Sequence, residues 1–135
     1  MNGADRLFDL GYAERILPAL LHASVYTILI TLVGFAIALV LGLVFAVLRR
    51  SPIKPVSHTV TLVVEFIRST PLLIQVYVIF YVLPVYGITM SALTAGTIGI
   101  ALHYACYTSE VYRAGLNCVA RGQWEAACAL SLSPW

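Results

Sequence analysis

Charge is what this sequence has least of. Only 10% of its 135 residues are Asp, Glu, Lys or Arg, while 61% are hydrophobic; an ordinary soluble domain carries roughly 25% charged residues. Between Ile16 and Leu48 there is no charged side chain at all. That stretch exceeds the ~20 apolar residues needed to cross a hydrocarbon core about 30 Å thick. The deficit excludes a soluble globular domain and predicts an all-α integral membrane protein. The preceding residues, MNGADRLFDLGYAER, are of mixed charge rather than a short basic leader, so the first apolar run is expected to be retained and not cleaved. A long Lys/Arg run is also missing and the net charge is only +2, which gives no case for nucleic acid. Cysteines number three, an odd count in apolar contexts, and read as small packing residues. His103 and Cys106 can share a helix face, but two ligands without a third do not make a metal site. No nucleophile–base pair or Gly-rich phosphate cradle supports a membrane enzyme built on His103, Cys106 and Glu110, so no catalytic residue, metal or cofactor is expected.

The few charges that are present set a topology. Arg49, Arg50 and Lys54 follow the first apolar run directly, whereas Arg6 and Arg15 at the other end are offset by Asp5, Asp9 and Glu14. Positive-inside bias therefore places the Arg49–Lys54 loop in the cytoplasm and the N-terminus outside. Spans are expected at about 20–48, 56–83 and 90–112, with Pro55 opening the second and Pro84 and Gly87 turning the chain before the third. The second is interrupted by Glu65-Phe-Ile-Arg68-Ser-Thr-Pro71, which leaves two halves each too short to cross alone. Together they predict one broken span, with roughly 42 Å of helix accommodated by tilt. Tyr77, Phe80, Tyr81 and Tyr86 fall near its outer interface. Small residues recur at every fourth position, Gly34, Ala38, Gly42 and Ala46 on the first span and Ser91, Ala95 and Gly99 on the third. Such stripes predict faces on which helices approach closely.

Glu65 and Arg68 lie inside the second span, where each unpaired charge would cost about 2.5 to 3.5 kcal/mol. Their i,i+3 spacing makes a mutual salt bridge available. Two readings stay open: the pair neutralises itself and pins the break at Pro71, or backbone groups freed around Ser69-Thr70-Pro71 line a polar cavity near the midplane. Glu110 and Arg113 repeat the spacing at the inner end of the third span, where snorkelling to the headgroups is the cheaper explanation.

The tail, GQWEAACALSLSPW, is rich in helix formers and too short to cross a bilayer. Trp124, Ala127, Cys128 and Leu132 can form one apolar face. An inner-leaflet helix would normally carry Lys or Arg, and Gly122 to Trp135 has neither, so docking on a partner is favoured over lying on lipid. Ala126 and Ala127 offer a shallow surface, Leu130 an apolar anchor one turn on, and Glu125 a charge near the helix start.

Three segments then carry a resemblance: Glu65-Phe-Ile-Arg68-Ser-Thr-Pro71-Leu-Leu-Ile-Gln75, His103-Tyr-Ala-Cys-Tyr-Thr-Ser-Glu110-Val-Tyr-Arg113-Ala-Gly115, and Gly122-Gln-Trp-Glu125-Ala126-Ala127-Cys-Ala-Leu130. In this order and spacing the chain resembles the transmembrane permease subunits of bacterial ABC importers of the polar amino acid (histidine/glutamine-type) uptake family, and its tail resembles the start of their EAA loop. The resemblance implies the N-terminal part of a five-span permease fold, truncated after the start of that loop. It implies a non-catalytic, multi-pass subunit in a bacterial inner membrane. Its partners would be a separate ATP-binding subunit, a second permease chain, a periplasmic or lipid-anchored solute-binding protein and an amino acid substrate. Gly122, Glu125, Ala126, Ala127 and Leu130 would dock the ATPase. Glu65, Arg68, Thr70, Gln75, Tyr107 and Glu110 are the translocation-path candidates. A scaffold or regulatory subunit that uses the same helices only for assembly is the alternative. Ser69, Ser131 and His103 depart from the family's usual Gly, Gly and Asn. At Ser131 a turn after Leu130 would be strained, or replaced by continued helix, because serine takes positive φ less cheaply than glycine.

Overall fold

The computed structural model describes residues 9–132, and among these every regular element is helical. Asp5 and Arg6, and the final residues of the tail, 133–135, lie outside the described residues. Helix α1 spans Leu10–Arg49, α2 Lys54–Ser69, α3 Leu72–Tyr77, α4 Ala92–Asn117 and α5 Arg121–Ala129. Between α3 and α4 the chain continues through a π-helical turn, Val78–Val82, and a 3-10 turn, Leu83–Tyr86.

Asp9 starts α1 by accepting the Tyr12 amide on its carboxylate at 3.0 Å, satisfying one of the free N–H groups of a helix start. At 40 residues α1 includes Pro18 and begins well before the expected span. Its ~60 Å length, at about 1.5 Å per residue, is twice a hydrocarbon core. It is the one described helix long and apolar enough by itself to cross a membrane.

The small-residue stripe is what α1 buries. Gly34, Ala38, Gly42 and Ala46 are its buried residues, and they lie against α4. A Cβ on Gly42 would stand 2.9 Å from the Thr108 Cβ and 3.0 Å from the Ala105 carbonyl oxygen; one on Gly34 would meet the Ile100 Cγ2 at 3.1 Å. At Gly42 the closeness of the two helices leaves no room for a side chain, and at Gly34 the Ile100 side chain would have to give way. The second stripe holds in part. Ala95 and Gly99 are buried, Gly99 against Val76 of α3 with a hypothetical Cβ 2.6 Å from its Cγ2. Ser91 instead caps α4, its side chain accepting the Thr94 amide at 3.2 Å.

The second span is not a tilted rod. Pro71 has no N–H and biases Thr70 away from helix, and both residues are extended, with ψ of 137° and 138°. The axes on either side turn by 102°, so the two halves do not add their lengths along one direction. If this bent pair is one span, it makes a second candidate crossing; α4 does not meet the same test of length and apolarity. Its residues 103–110 include His103, Tyr104, Tyr107, Thr108, Ser109 and Glu110, several of them held between helices. After the bend, Gly87 takes φ +83°, its amide bonding to the Pro84 carbonyl at 3.0 Å, which completes the expected turn into α4.

Candidate functional site

The bend leaves backbone carbonyls without helical partners, and nearby side chains take them up. The Gln75 amide nitrogen lies 2.7 Å from the Ile67 carbonyl oxygen, 3.0 Å from that of Thr70 and 2.9 Å from the Thr70 hydroxyl. Ser69 donates to the Glu65 carbonyl at 2.7 Å, and Thr70 to that of Ile67 at 3.0 Å. Thr70 and Gln75 thus act as one unit that staples the corner. The cavity beside it, about 320 Å³, is walled by Phe66, Ile67, Ile74, Val78, Ile79 and Leu102 in addition to those two. Its lining is mostly apolar, because the freed backbone groups expected to make it polar are already bonded. The Gln75 Oε1 atom is buried there without a partner among the described residues.

Below the corner, the charges form a cluster drawn from three helices. The Glu110 carboxylate of α4 accepts Arg49 of α1 at 2.6 Å and Arg68 of α2 at 2.9 Å on Oε1, and Arg113 of its own helix at 2.7 Å on Oε2. Arg49 is the most enclosed, its side chain 8% exposed, and its Nε also lies 3.3 Å from the Thr61 hydroxyl. Ser57 donates to the Arg49 carbonyl at 2.7 Å, so the end of α1 and the start of α2 are stitched twice. Arg68 stacks over the Tyr107 ring, 5.2 Å to its centre, and the Tyr107 hydroxyl donates to the Arg68 carbonyl at 3.4 Å. Arginine suits this place because its planar fork can serve a carboxylate and an aromatic face together. Three guanidiniums against one carboxylate leave a surplus of two positive charges.

This arrangement corrects two expectations. Arg68 does not pair with Glu65: it turns to Glu110, and Glu65 is exposed without an ion pair among the described residues. Glu110 does not snorkel either, being only 19% exposed and held inward by its arginines. Of the translocation-path candidates, Arg68, Tyr107 and Glu110 come together, Thr70 and Gln75 meet at the adjoining corner, and Glu65 stands apart. Arg49 and Thr61 are members that sequence reasoning missed. The signal was there for Arg49: one further turn along the buried stripe from Ala46 reaches it, as one turn from buried Cys106 reaches Glu110. His103 and Cys106 belong to no group of three or more potential metal ligands among the described residues.

Helix α5 follows the short Cys118–Ala120 connection and buries none of its residues. Gly122, Glu125, Ala126 and Leu130 are exposed and Ala127 is half-buried. Glu125 falls in the middle of the helix, not near its start, and bonds to Arg121 at 3.1 Å. Arg121, the first residue of α5, thus adds a basic group that the reading of Gly122 onward left out. The helix closes as anticipated at a strained turn. Ser131 has φ +54°, its amide bonds to the Cys128 carbonyl at 3.0 Å, and the Leu132 amide to that of Ala127 at 3.0 Å. Those two bonds are the paired closure that usually has glycine at the left-handed position.

The chain belongs to the family of binding-protein-dependent transport system inner membrane components, which its residues 38–135 match. It is 44% identical over 126 residues to a probable amino-acid ABC transporter permease protein, y4tG, of Sinorhizobium fredii, covering 93% of this chain and 54% of that protein. To the L-cystine transport system permease protein TcyB of Bacillus subtilis it is 34% identical, covering 86% of this chain and 50% of the other. Its fold superposes on a crystal structure of an amino acid ABC transporter with histidines at a TM-score of 0.88 and 31% identity, over 94% of this chain and 59% of that one. The chain spans about half the length of the curated relatives it matches.

Proposed function

We propose that this chain is a permease subunit of an ATP-driven amino acid importer, contributing part of the translocation path and docking on a separate ATP-hydrolysing subunit. The observation that carries the reading is α5, a helix that buries none of its own residues and is followed by the exposed Leu130. Alanines at 126 and 127 permit a close approach, and Gly122 has no neighbour within 4 Å of where a Cβ would stand.

The chain crosses a bacterial inner membrane three times, at about 20–48, 56–83 and 90–112. Its N-terminus is outside, and the Arg49–Lys54 loop and α5 are in the cytoplasm. Arg68, Tyr107 and Glu110, with Thr70 and Gln75 above them, border the path. Glu65 and the neighbouring Phe66 face a second permease chain or the path itself, since an exposed carboxylate at that depth is too costly against lipid. A solute-binding protein delivers the amino acid from outside. The subunit carries out no catalysis.

The reading is tested by co-purification with the ATP-binding subunit. Ala127→Asp puts an unpaired charge on the docking face and should abolish co-purification while membrane insertion is unchanged. Normal recovery of the ATPase with both Ala127→Asp and Glu125→Lys would instead favour a scaffold role.

A further inference from the structure

Arg50 stands beside the ion cluster but takes no part in it. Glu110 is occupied by Arg49, Arg68 and Arg113, and the Arg50 guanidinium donates only to the side-chain oxygen, Oδ1, of Asn117 among the described residues, at 3.5 Å. The negative end of the α1 dipole lies nearby, but at about half a charge it does not neutralise a guanidinium. Arg50 lines a groove of about 660 Å³, open between the end of α1, the Ser51–Pro52 loop, the end of α4 and Trp124 of α5. Its other walls, Val47, Leu48, Pro52 and Leu116, are apolar, and no acidic side chain lines it among the described residues.

We propose that this groove is a binding site for an anionic phospholipid of the inner leaflet, with the phosphate on Arg50 and the upper acyl chain along Val47, Leu48 and Leu116. Three observations choose this occupant. The groove sits where the uncharged run of α1, which ends at Leu48, gives way to Arg49 and Arg50, the level at which hydrocarbon meets headgroups. Its chemistry is divided as a lipid's is, with one unpaired cation at the mouth and apolar walls behind. The adjoining cluster holds two surplus positive charges, which raise the local potential for an anion and disfavour a zwitterionic headgroup by comparison. Trp124, an amphipathic ring, closes the side toward α5. The bound lipid would fill the space between α5 and the bundle and so hold the docking helix at a fixed height.

The test is native mass spectrometry of the purified chain equilibrated with vesicles of phosphatidylcholine alone or mixed with phosphatidylglycerol. Phosphatidylglycerol should be retained selectively. Arg50→Gln should weaken its retention about fivefold, the effect of one basic group at a membrane surface. Arg121→Gln, on the same side but outside the groove, should leave it unchanged. Trp124→Ala should also weaken retention, and inorganic phosphate at equal concentration should not displace the lipid. Equal losses in Arg50→Gln and Arg121→Gln would reduce the effect to diffuse surface attraction and overturn the site. Displacement by inorganic phosphate, or full retention in Trp124→Ala, would overturn the lipid as occupant. So would protection of Leu116→Cys from thiol labelling by the ATPase subunit in lipid-free detergent, if phosphatidylglycerol gave none.

Discussion

The Arg68 guanidinium donates to the Glu110 carboxylate at 2.9 Å across 42 positions of sequence, leaving Glu65 on its own helix unpaired. Helix α2, in its last turn beside the break, is therefore tied to α4 by charge, and through the same oxygen to Arg49 at the end of α1. The ties join the corner that borders the proposed path to the helix that leads into α5.

The pairing has a direct energetic consequence. Glu110→Gln leaves three guanidiniums facing one another and should destabilise the bundle by on the order of 3 kcal/mol, the usual cost of removing one partner from an enclosed ion pair. Arg68→Gln should cost less, because its side chain is 35% exposed. A double-mutant cycle on thermal unfolding in detergent should give coupling of about 0.5 kcal/mol or more between Arg68 and Glu110 and none between Arg68 and Glu65.

At Gly42 the prediction is steric. With a Cβ already 2.9 Å from Thr108, Gly42→Val must push α1 and α4 apart and should destabilise by about 1–3 kcal/mol. Gly96→Ala, on α4 but with open space around it, should be neutral or mildly stabilising. Thermal midpoints of the two variants compare them directly.

How much of this was legible beforehand depends on whether the determinant was local. The stripe from Gly34 to Ala46 was readable because close helix approach requires small residues at a fixed spacing, whatever the partner. Pro71, Pro84 and Gly87 marked a break and a turn because their backbone limits are intrinsic. A proline announces a corner but not its angle, so the 102° bend was hidden. The partner of Arg68 was hidden for the same reason: Glu65 is visible at three residues' distance, whereas Glu110 is brought near only by how α2 and α4 pack. The groove at Arg50 likewise exists only where the ends of α1 and α4 and the start of α5 meet.

The corner itself can be probed at Gln75. Gln75→Leu removes the amide that serves the Ile67 and Thr70 carbonyls; Ile67 keeps its bonds from the Thr70 amide and hydroxyl, so the Thr70 carbonyl is the one left unpaired, which should cost about 1–3 kcal/mol. Hydrogen exchange should rise around residues 67–75 more than in α1. Unchanged exchange there would mean that water or neighbouring backbone serves that carbonyl instead.

Ser131 offers a stabilising change. Its φ of +54° is a conformation that costs a side-chain-bearing residue about 1–2 kcal/mol. Ser131→Gly should therefore slow amide exchange at the end of α5, particularly at Leu132, whose N–H closes the turn onto Ala127. Faster exchange would show that serine holds the turn by a means other than backbone conformation.

The central claim is that the arginine-held Glu110 belongs to the working path of an amino acid importer. It is tested most directly by ATP-dependent uptake of labelled amino acid into proteoliposomes containing the chain, its ATP-binding subunit and a solute-binding protein. The chain carrying Glu110→Gln should assemble with the ATPase yet lose most uptake, and the Arg68→Gln, Glu110→Gln double variant should be no worse than Glu110→Gln alone. Full uptake by Glu110→Gln, or additive losses in the double variant, would contradict the account.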